Sequence, residues 1–144
     1  RILQRLKFDN DTIRKVSKLV RFHDYRMPAA SKYVRRAMNR IGEDLFPYYL
    51  LVQRADIAGQ SEYQKTKKIE NLEQIEKLYK EILELKQCVS LKGLAVTGRD
   101  LIEAGMEPGP QIGEMLETLL KEVIDDPEKN EKKVLLKMVS RGIH

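Results

Sequence analysis

The doublet His23-Asp24 is the first place in the sequence where neighbouring side chains could do metal chemistry. Imidazole and carboxylate groups both bind divalent metals, but a catalytic metal site usually needs three or more protein ligands. The only other histidine is His144, the last residue of the sequence. We therefore predict at most an incomplete metal site at His23 and Asp24. The spacing of His23 behind Val16 and Val20 favours a packed, hydrogen-bonded histidine on the apolar face of a helix.

The stretch from Gly98 to Gly113 could bind a phosphate group. Its residues predict a short helix, a glycine-containing turn and a second helix opened by Pro108-Gly109-Pro110. Glycine lets another backbone approach closely, and the positive end of a helix attracts anions. These features predict a sequence-independent phosphate site at Gly109 and Gly113. The alternative is a tight helix–turn–helix in which the glycines only permit close packing.

Positive charge is concentrated in the first part of the sequence. Residues 1–40 contain twelve Lys or Arg and three Asp or Glu, although the whole sequence has a net charge of only +5. Arg14, Lys18 and Arg21 recur at helical spacing, so they fall on one side of a helix. Such a basic face is typical of proteins that bind polyanions. A solvated surface on a basic protein is the alternative.

The apolar periodicity predicts an all-α, multi-helical protein of about seven helices without strands. Apolar residues recur every three or four positions in almost every segment, which is the period of an amphipathic helix. The segment 45–58 is apolar all round and therefore predicts a buried helix, with Pro47 tolerated in its first turn. Residues 61–87 predict one long helix that joins two small helical subdomains. Its apolar stripe is predicted to consist of Ile69, Leu72, Ile75, Leu78 or Tyr79, Ile82 and Leu85.

Small polar residues and glycines mark the predicted helix ends. The residues predicted to cap helix N-termini share side-chain oxygens that can accept amide hydrogen bonds: Ser31, Ser90, Thr97 and Asn130. Gly42 is predicted to end the second helix, because glycine tolerates the left-handed conformation common at C-termini. On that helix the periodicity predicts that Arg35, Arg36 and Arg40 face outward.

Several classes of protein are excluded by what the sequence lacks. Its one cysteine, Cys88, allows neither an intrachain disulfide nor a cysteine-rich zinc site, which fits a reducing cytoplasm. No run approaches the roughly 18 apolar residues of a membrane span, and no signal peptide is apparent. Phosphate-binding loops, nucleophile elbows and helical His-Glu-x-x-His pairs are also missing. We expect a cytoplasmic protein without membrane contact. Its aromatic residues are few and scattered, so any RNA would be held through its backbone and shape rather than by stacked bases.

Six segments of the sequence resemble one family in their order and spacing. They are 8–16, 22–24, 34–46, 54–56, 89–101 and 108–113. Through these segments the sequence, from about Leu3 to Val139, is similar to the region behind the catalytic head of bacterial CCA-adding tRNA nucleotidyltransferases, mainly those with an HD-type domain.

The resemblance implies a longer enzyme whose separate head binds Mg²⁺, ATP and CTP and adds C, C and A to the tRNA 3′ end. That head's Gly-Ser pair and spaced Asp pair are absent here, and the sequence begins at Arg1 rather than Met. We therefore expect a part of the enzyme that has no catalytic residue and no cofactor of its own. The implied domains are residues 1–60 as the end of the HD-type domain, 61–87 as a connecting helix and 88–144 as a tRNA-binding tail.

The resemblance also implies that this region grips the acceptor stem and T-arm of tRNA. Asp24 matches the family's last metal-ligand position, with His23 beside it, and Asp100 is expected to cap or orient the tail turn. The residues predicted to contact tRNA, from the resemblance and from the basic helix face, are Lys92, Arg99, Gly109, Gly113, Arg14, Lys18 and Arg21.

Two other classes of function stay open. A remnant of an HD-type metal-dependent phosphohydrolase would require metal binding by His23 and Asp24. A helical protein-interaction module would pair the 61–87 helix with a partner helix. The sequence does not indicate an oligomeric state.

Overall fold

The computed structural model describes residues 10–141, which form seven α-helices and no strand. The all-α prediction is therefore confirmed for this part of the chain. The helices are α1 (Asn10–Arg21), α2 (Ser31–Ile41), α3 (Phe46–Ala58), α4 (Lys65–Glu84), α5 (Gly98–Glu103), α6 (Pro110–Asp125) and α7 (Lys132–Ser140). Short 3-10 turns lie at Leu91–Gly93 and Pro127–Lys129.

The chain folds as two compact units, Arg1–Lys80 and Glu81–His144. We call them the first and the second unit. The boundary falls inside α4, within the segment predicted to connect two subdomains. That helix is shorter than predicted: it begins at Lys65, after residues 61–64, and ends at Glu84. Of its predicted apolar stripe, Leu85 is exposed, because it follows the end of the helix.

The core of the first unit is built mainly from α2 and α3. Helix α2 ends at Ile41, and Gly42 is its C-cap as predicted; the φ of +110° there favours glycine, although the conformation is not the left-handed helical one. Helix α3 carries Pro47 in its first turn, where proline's missing amide leaves no hydrogen bond unmade. The Phe46 ring lies against Tyr49 and against Tyr79 of α4, with centroids 5.6 and 5.0 Å apart. These ring contacts join α3 to α4.

Three expectations for this unit are wrong. Ser31 is the first residue of α2 rather than its cap; the cap position is Ala30, which makes no side-chain hydrogen bond there. Arg35 is buried beside the apolar residues of α2 instead of facing outward. Helix α3 is not buried all round, since Leu51 is 63% exposed and Tyr48 also faces solvent. The apolar composition of α3 therefore does not mean that another element packs against every face of the helix.

Helix α1 has an apolar stripe, but none of its residues is buried. Val16 and Val20 of that stripe are 39% and 63% exposed. The helix ends at Arg21, so His23 lies in the following turn and is exposed. The prediction of a histidine packed on the helix is wrong because the helix stops two residues too early, although the predicted hydrogen bond is present.

The second unit has one apolar core. The four most deeply buried side chains are those of Leu101 from α5, Leu119 and Val123 from α6, and Leu135 from α7. Helix α6 begins at Pro110 and ends just before Asp126 and Pro127, as the sequence predicts. Five of its sixteen residues are buried. The periodicity of α6 thus corresponds to a face that the other helices cover.

Side-chain hydrogen bonds fix the N-terminus of α5. The Thr97 hydroxyl accepts from the Asp100 amide, and the Asp100 carboxylate accepts from the Thr97 amide, which is a reciprocal capping box. The predicted roles of Thr97 and Asp100 are confirmed. Ser90 makes no capping hydrogen bond, so its predicted role is wrong.

Asn130 does not cap α7, whose cap position is Glu131. The Asn130 side chain instead donates to the Gly93 carbonyl at 3.0 Å and accepts from the Ala95 amide at 2.8 Å. These bonds join segments more than thirty residues apart in the sequence. The prediction is wrong because the side-chain amide of Asn130, which could have capped α7, is already hydrogen-bonded to Gly93 and Ala95.

Along residues 10–141 we find no helix with both the length and the apolar character to cross a bilayer.

Candidate functional site

In the first unit, α1 brings together its three predicted contact residues. Arg14, Lys18 and Arg21 surround Ser17 and line an open depression on one side of the helix. Their spacing of three and four residues produces this arrangement directly. Because no residue of α1 is buried, these cations are not needed to build the core.

Only part of this basic face forms ion pairs with acidic side chains. Asp11 pairs with Arg14 at 3.0 Å and with Lys15 at 3.1 Å. Hydrogen bonds from Arg14 and then Lys15 lower the pKa of Asp11, and Asp11 in turn raises the pKa of Lys15. The guanidinium of Arg21 lies 5.5 Å from the centroid of the Phe22 ring. One of the three predicted cations is therefore paired with a carboxylate, and a second with an aromatic face.

Further cation–aromatic contacts, which were not predicted from the sequence, follow on α2. Lys32 and Arg36 both lie over the Tyr33 ring, at 5.4 and 5.3 Å from its centroid. Arg40 lies 5.8 Å from the centre of the Tyr25 ring. The spacing of Tyr33 and Arg36, three residues apart in a helix, was the available signal. These contacts orient long cationic side chains at the surface of the first unit.

Two side chains of α3 donate hydrogen bonds to the backbone of the turn that carries His23 and Asp24. Gln53, which is buried, donates a hydrogen bond to the His23 carbonyl at 2.6 Å. The Tyr49 hydroxyl donates to the Tyr25 carbonyl. Burial raises the pKa of Tyr49 to about 12, so this hydroxyl keeps its proton across the physiological range. The backbone of the turn is thereby fixed, while the two side chains face solvent.

His23 and Asp24 contact each other rather than a larger set of ligands. The imidazole Nε2 lies 3.2 Å from Asp24 Oδ1, and Nδ1 lies 2.6 Å from the Val20 carbonyl oxygen. Within residues 10–141 no group of three His, Cys, Asp or Glu side chains could hold a metal ion. These two residues therefore do not fit a catalytic metal centre by themselves. Their assignment as metal ligands stays a prediction.

In the second unit, α5 and α6 meet close to their N-termini. A Cβ atom added at Gly98 would lie only 3.1 Å from Ile112 Cγ2, so glycine at this position permits the close approach of the two helices. Arg99 and Gly113 are the next residues along each helix, and both are exposed. The structure thus places an exposed guanidinium and an exposed glycine on either side of one helix contact.

Gly109, the N-cap of α6, and Gly113, within the helix, differ in what they do. Gly109 has a φ of +153°, and a Cβ atom added there would lie only 2.7 Å from Gln111 Oε1, whose side-chain amide donates to the Glu107 carbonyl at 2.7 Å. Around Gly113, by contrast, an added Cβ would meet nothing within 4 Å. Glycine inside a helix costs about 1 kcal/mol relative to alanine, so packing within the described residues gives no reason for Gly113. Gly109 is a conformational requirement, and Gly113 is an open surface.

Lys92 is exposed on the Leu91–Gly93 turn, which Asn130 holds through the Gly93 carbonyl. No described contact joins Lys92 to Arg99 or to Gly113. On α5, Asp100 faces Lys132, with Oδ1 and Nζ 3.1 Å apart. The Thr97 amide and then the Lys132 ammonium lower the pKa of Asp100, so this carboxylate is ionised at neutral pH. The predicted contact residues of this unit therefore form one group at the α5–α6 contact and one separate lysine.

The fold and these surfaces define an all-α module with basic and glycine-bearing exposed faces. The chain belongs to the tRNA nucleotidyltransferase domain 2 family, whose model matches residues 1–139.

Curated relatives agree with this family. The chain is 49% identical over 49 residues to the CCA-adding enzyme of Levilactobacillus brevis and 48% identical over 44 residues to that of Limosilactobacillus fermentum. It is 45% identical over 49 residues to the CCA-adding enzyme of Pediococcus pentosaceus. The matched stretches cover 31–34% of this chain and only 11–12% of the relatives' own length. No solved structure matches the chain.

Proposed function

We propose that this chain is a tRNA-binding part of a tRNA nucleotidyltransferase that adds or repairs the 3′-terminal CCA of tRNA. The contact would be made to phosphates of the acceptor stem and T-arm. Membership of the tRNA nucleotidyltransferase domain 2 family and the similarity to CCA-adding enzymes support tRNA as the partner. In this proposal, Mg²⁺, ATP and CTP belong to a catalytic head outside this sequence.

The observation that carries the proposal is the basic face of α1. Arg14, Lys18 and Arg21 lie side by side on a helix that contributes no buried residue. Cations that the core does not need, gathered on one exposed face, are suited to a regularly spaced row of phosphates. The exposed pair Arg99 and Gly113 supplies a second place where a nucleic-acid backbone could approach.

The proposal is tested by the salt dependence of tRNA binding to the full chain. Each phosphate neutralised releases counterions, with a slope of log K against log salt of roughly −0.9 per contact on duplex DNA. Replacing Arg14, Lys18 and Arg21 together by alanine should weaken binding and flatten that slope by as much as about three units. Arg99→Ala and Lys92→Ala should each flatten it by about one unit.

A matched control removes the same charge from another exposed helix face. Lys133, Lys137 and Arg141 are spaced by four residues at and just beyond α7, and all three are exposed. Their triple alanine variant should leave the slope of the parent chain nearly unchanged. Equal losses for both triple variants would mean that only net charge matters, and would contradict a contact by α1.

The choice of RNA tests the finer part of the proposal. An acceptor/T-arm minihelix should bind as tightly as whole tRNA, whereas an anticodon stem-loop of similar length should bind more weakly. Equal affinity for both RNAs would reduce the function to general RNA binding. Absence of binding at low salt would contradict a tRNA-binding role of this chain by itself.

A further inference from the structure

The first unit contains a concave pocket of about 400 Å³ that the proposed tRNA contacts do not use. It opens between the turn at Arg26, helix α3 and the beginning of α4. A volume of this size lies in the usual range of small-molecule sites, roughly 300–1,000 Å³. The residues that line it are Arg26, Met27, Tyr49, Gln53, Ile57, Gln60, Gln64, Lys67, Lys68, Asn71, Leu72 and Ile75.

The floor of the pocket is apolar and consists of buried side chains. Met27, Ile57, Leu72 and Ile75 are all buried side chains of the first unit. Tyr49 is buried as well, and its hydroxyl is already satisfied by the Tyr25 carbonyl. An apolar floor backed by fixed side chains favours a flat, hydrophobic ligand surface over a strongly hydrated one.

Amide side chains border this floor. Gln60 is engaged, because it donates to Asp56 at 3.0 Å and accepts from Lys68 at 2.6 Å. The amides of Gln64 and Asn71 make no hydrogen bond with any described residue. Each therefore offers both a donor and an acceptor to a ligand, which is what the edge of a heterocyclic base requires. An aliphatic ligand would cover these amides without satisfying them, at a cost in free energy.

The lining is also positively charged. It contains Arg26, Lys67 and Lys68, and no Asp or Glu. Arg26 is held in place by Asp56 at 3.5 Å and by the His23 carbonyl at 3.1 Å. Lys67, one turn into α4, has no carboxylate partner among the described residues. The two adjacent lysines can therefore neutralise an anionic group at the rim of the pocket.

The backbone at the rim adds one independent observation. Gln64 has a φ of +62°, and it is one of only two non-glycine residues with positive φ among the described residues. Such a conformation costs on the order of 1 kcal/mol or more for a residue with a side chain, and it concentrates at ligand sites. Glycine would adopt it without strain. The side chain of Gln64 is thus kept at the pocket at a cost in stability.

We propose that this pocket binds a nucleoside monophosphate group. The base lies on the floor of Met27, Ile57 and Ile75, and its edge contacts the amides of Gln64 and Asn71. The phosphate lies at the rim against Lys67 and Lys68. This ligand chemistry could come from a free nucleotide or from a nucleotide at the end of an RNA strand, since both present the same groups. The pocket does not include Arg14, Lys18 or Arg21, so it is separable from the proposed tRNA contact.

Binding is measured by methyl NMR on the full chain, with AMP, GMP, CMP and UMP as probes. At least one nucleotide should shift the methyl signals of Met27, Ile57 and Ile75 saturably, with one ligand per chain. The matching nucleoside, which lacks the phosphate, should bind about tenfold more weakly, because a charge-assisted hydrogen bond to phosphate is lost. Inorganic phosphate should leave the floor methyls unshifted.

Surface variants separate this site from a general effect of charge. Replacing Lys67 and Lys68 together by alanine should weaken nucleotide binding at least about tenfold. Lys77→Ala, on the same helix but outside the pocket, should leave it unchanged. Gln64→Gly should keep or raise the thermal stability, since glycine suits the positive φ. The same substitution should weaken the binding of the preferred nucleotide. Weaker binding without loss of stability excludes misfolding as the cause.

Three results would overturn the proposal: no saturable shift at millimolar nucleotide, equal binding of nucleoside and nucleotide, or equal effects of Lys67/Lys68 and Lys77 substitutions. A short single-stranded oligonucleotide distinguishes the two sources. If it binds at the floor methyls more tightly than the mononucleotide, the natural ligand is a strand end. If its affinity is lower, the ligand is a free nucleotide. Both outcomes are compatible with a nucleotide site in this pocket. Neither outcome depends on the α1 variants that test tRNA binding.

Discussion

Helices α1 and α6 have the same kind of sequence pattern but different places in the fold. Both carry an apolar stripe at helical spacing, yet α1 buries none of its residues and α6 buries five. The stripe of α6 is covered by α5 and α7, whereas Val20 of α1 remains 63% exposed. An amphipathic pattern therefore establishes a helix and its two faces, but not the presence of a neighbour. It follows that the stripe of α1 can be altered to test function without loss of the fold, while the buried stripe of α6 cannot.

The largest expected effect contrasts the two stripes directly. Leu119 of α6 is fully buried, so Leu119→Ala should lower the free energy of unfolding by about 2–5 kcal/mol, through lost burial and a cavity. Val20→Ala on α1 should change it by less than about 0.5 kcal/mol, because the side chain is mostly exposed. Urea unfolding followed by circular dichroism measures both. A comparable loss for Val20→Ala would show that α1 packs against something in solution.

The next effect concerns the clamp made by Asn130. Asn130→Ala leaves the partly buried Ala95 amide without its partner, which costs about 1–3 kcal/mol. The Gly93 carbonyl also loses its partner, but it is exposed and can bind water, so its loss adds little. Glu131→Ala, one residue further on and exposed, should be nearly neutral. Thermal melting of both variants checks the difference. If the two substitutions have equal effects, Asn130 is only a local turn residue.

The failed assignment of Asn130 shows how far the sequence alone predicts this molecule. Thr97, Gly42 and Pro127 were interpreted correctly, because caps and breakers act on residues a few positions away in the sequence. Asn130 and the buried Arg35 were not, since their environment is set by segments that only the fold brings near. The same holds for the candidate sites. The basic face of α1 follows from spacing alone, whereas the nucleotide pocket depends on residues that the sequence separates by up to 49 positions.

A smaller effect distinguishes a true cap from a residue that only resembles one. Thr97→Ala removes the side-chain acceptor of the Asp100 amide and should cost about 1 kcal/mol. Ser90→Ala should cost little, because Ser90 makes no such hydrogen bond. The difference between their melting temperatures tests the assignment. A Ser90 variant as unstable as the Thr97 variant would contradict it.

Glycine substitutions at Gly113 and Gly98 of the second unit should differ in their effect on stability. Gly113→Ala should raise the free energy of unfolding by as much as about 1 kcal/mol, because alanine favours the helix and the added methyl meets no atom. Gly98→Ala should be less favourable, since its Cβ would lie 3.1 Å from Ile112 Cγ2. Chemical denaturation of both variants measures this. If Gly113→Ala raises stability and also weakens tRNA binding, the glycine serves the interface rather than the fold.

The smallest effect separates two carboxylates whose pKa values are both lowered, Asp100 in the second unit and Asp11 on α1. A carboxylate with a lowered pKa in the folded state stabilises the protein above its unfolded pKa of about 3.9, and this contribution is lost as the pH falls through the folded value. Asp100 is held first by the Thr97 amide and is 17% exposed, so salt should screen little of its contribution. Asp11 is held by Arg14 and Lys15 and is 59% exposed, so its pairs should contribute little and be screened.

Thermal melting between pH 7 and pH 3 should therefore show a smaller decrease for Asp100→Asn than for the parent chain, at both low and high salt. This follows because asparagine has no proton to bind in the acid range, so the part of the pH dependence that belongs to Asp100 disappears. Asp11→Asn should leave the pH profile almost unchanged at high salt. A profile that responds to Asp11 but not to Asp100 would reverse the comparison: the charges of α1 would then stabilise the fold, and could no longer be altered as a surface reserved for binding.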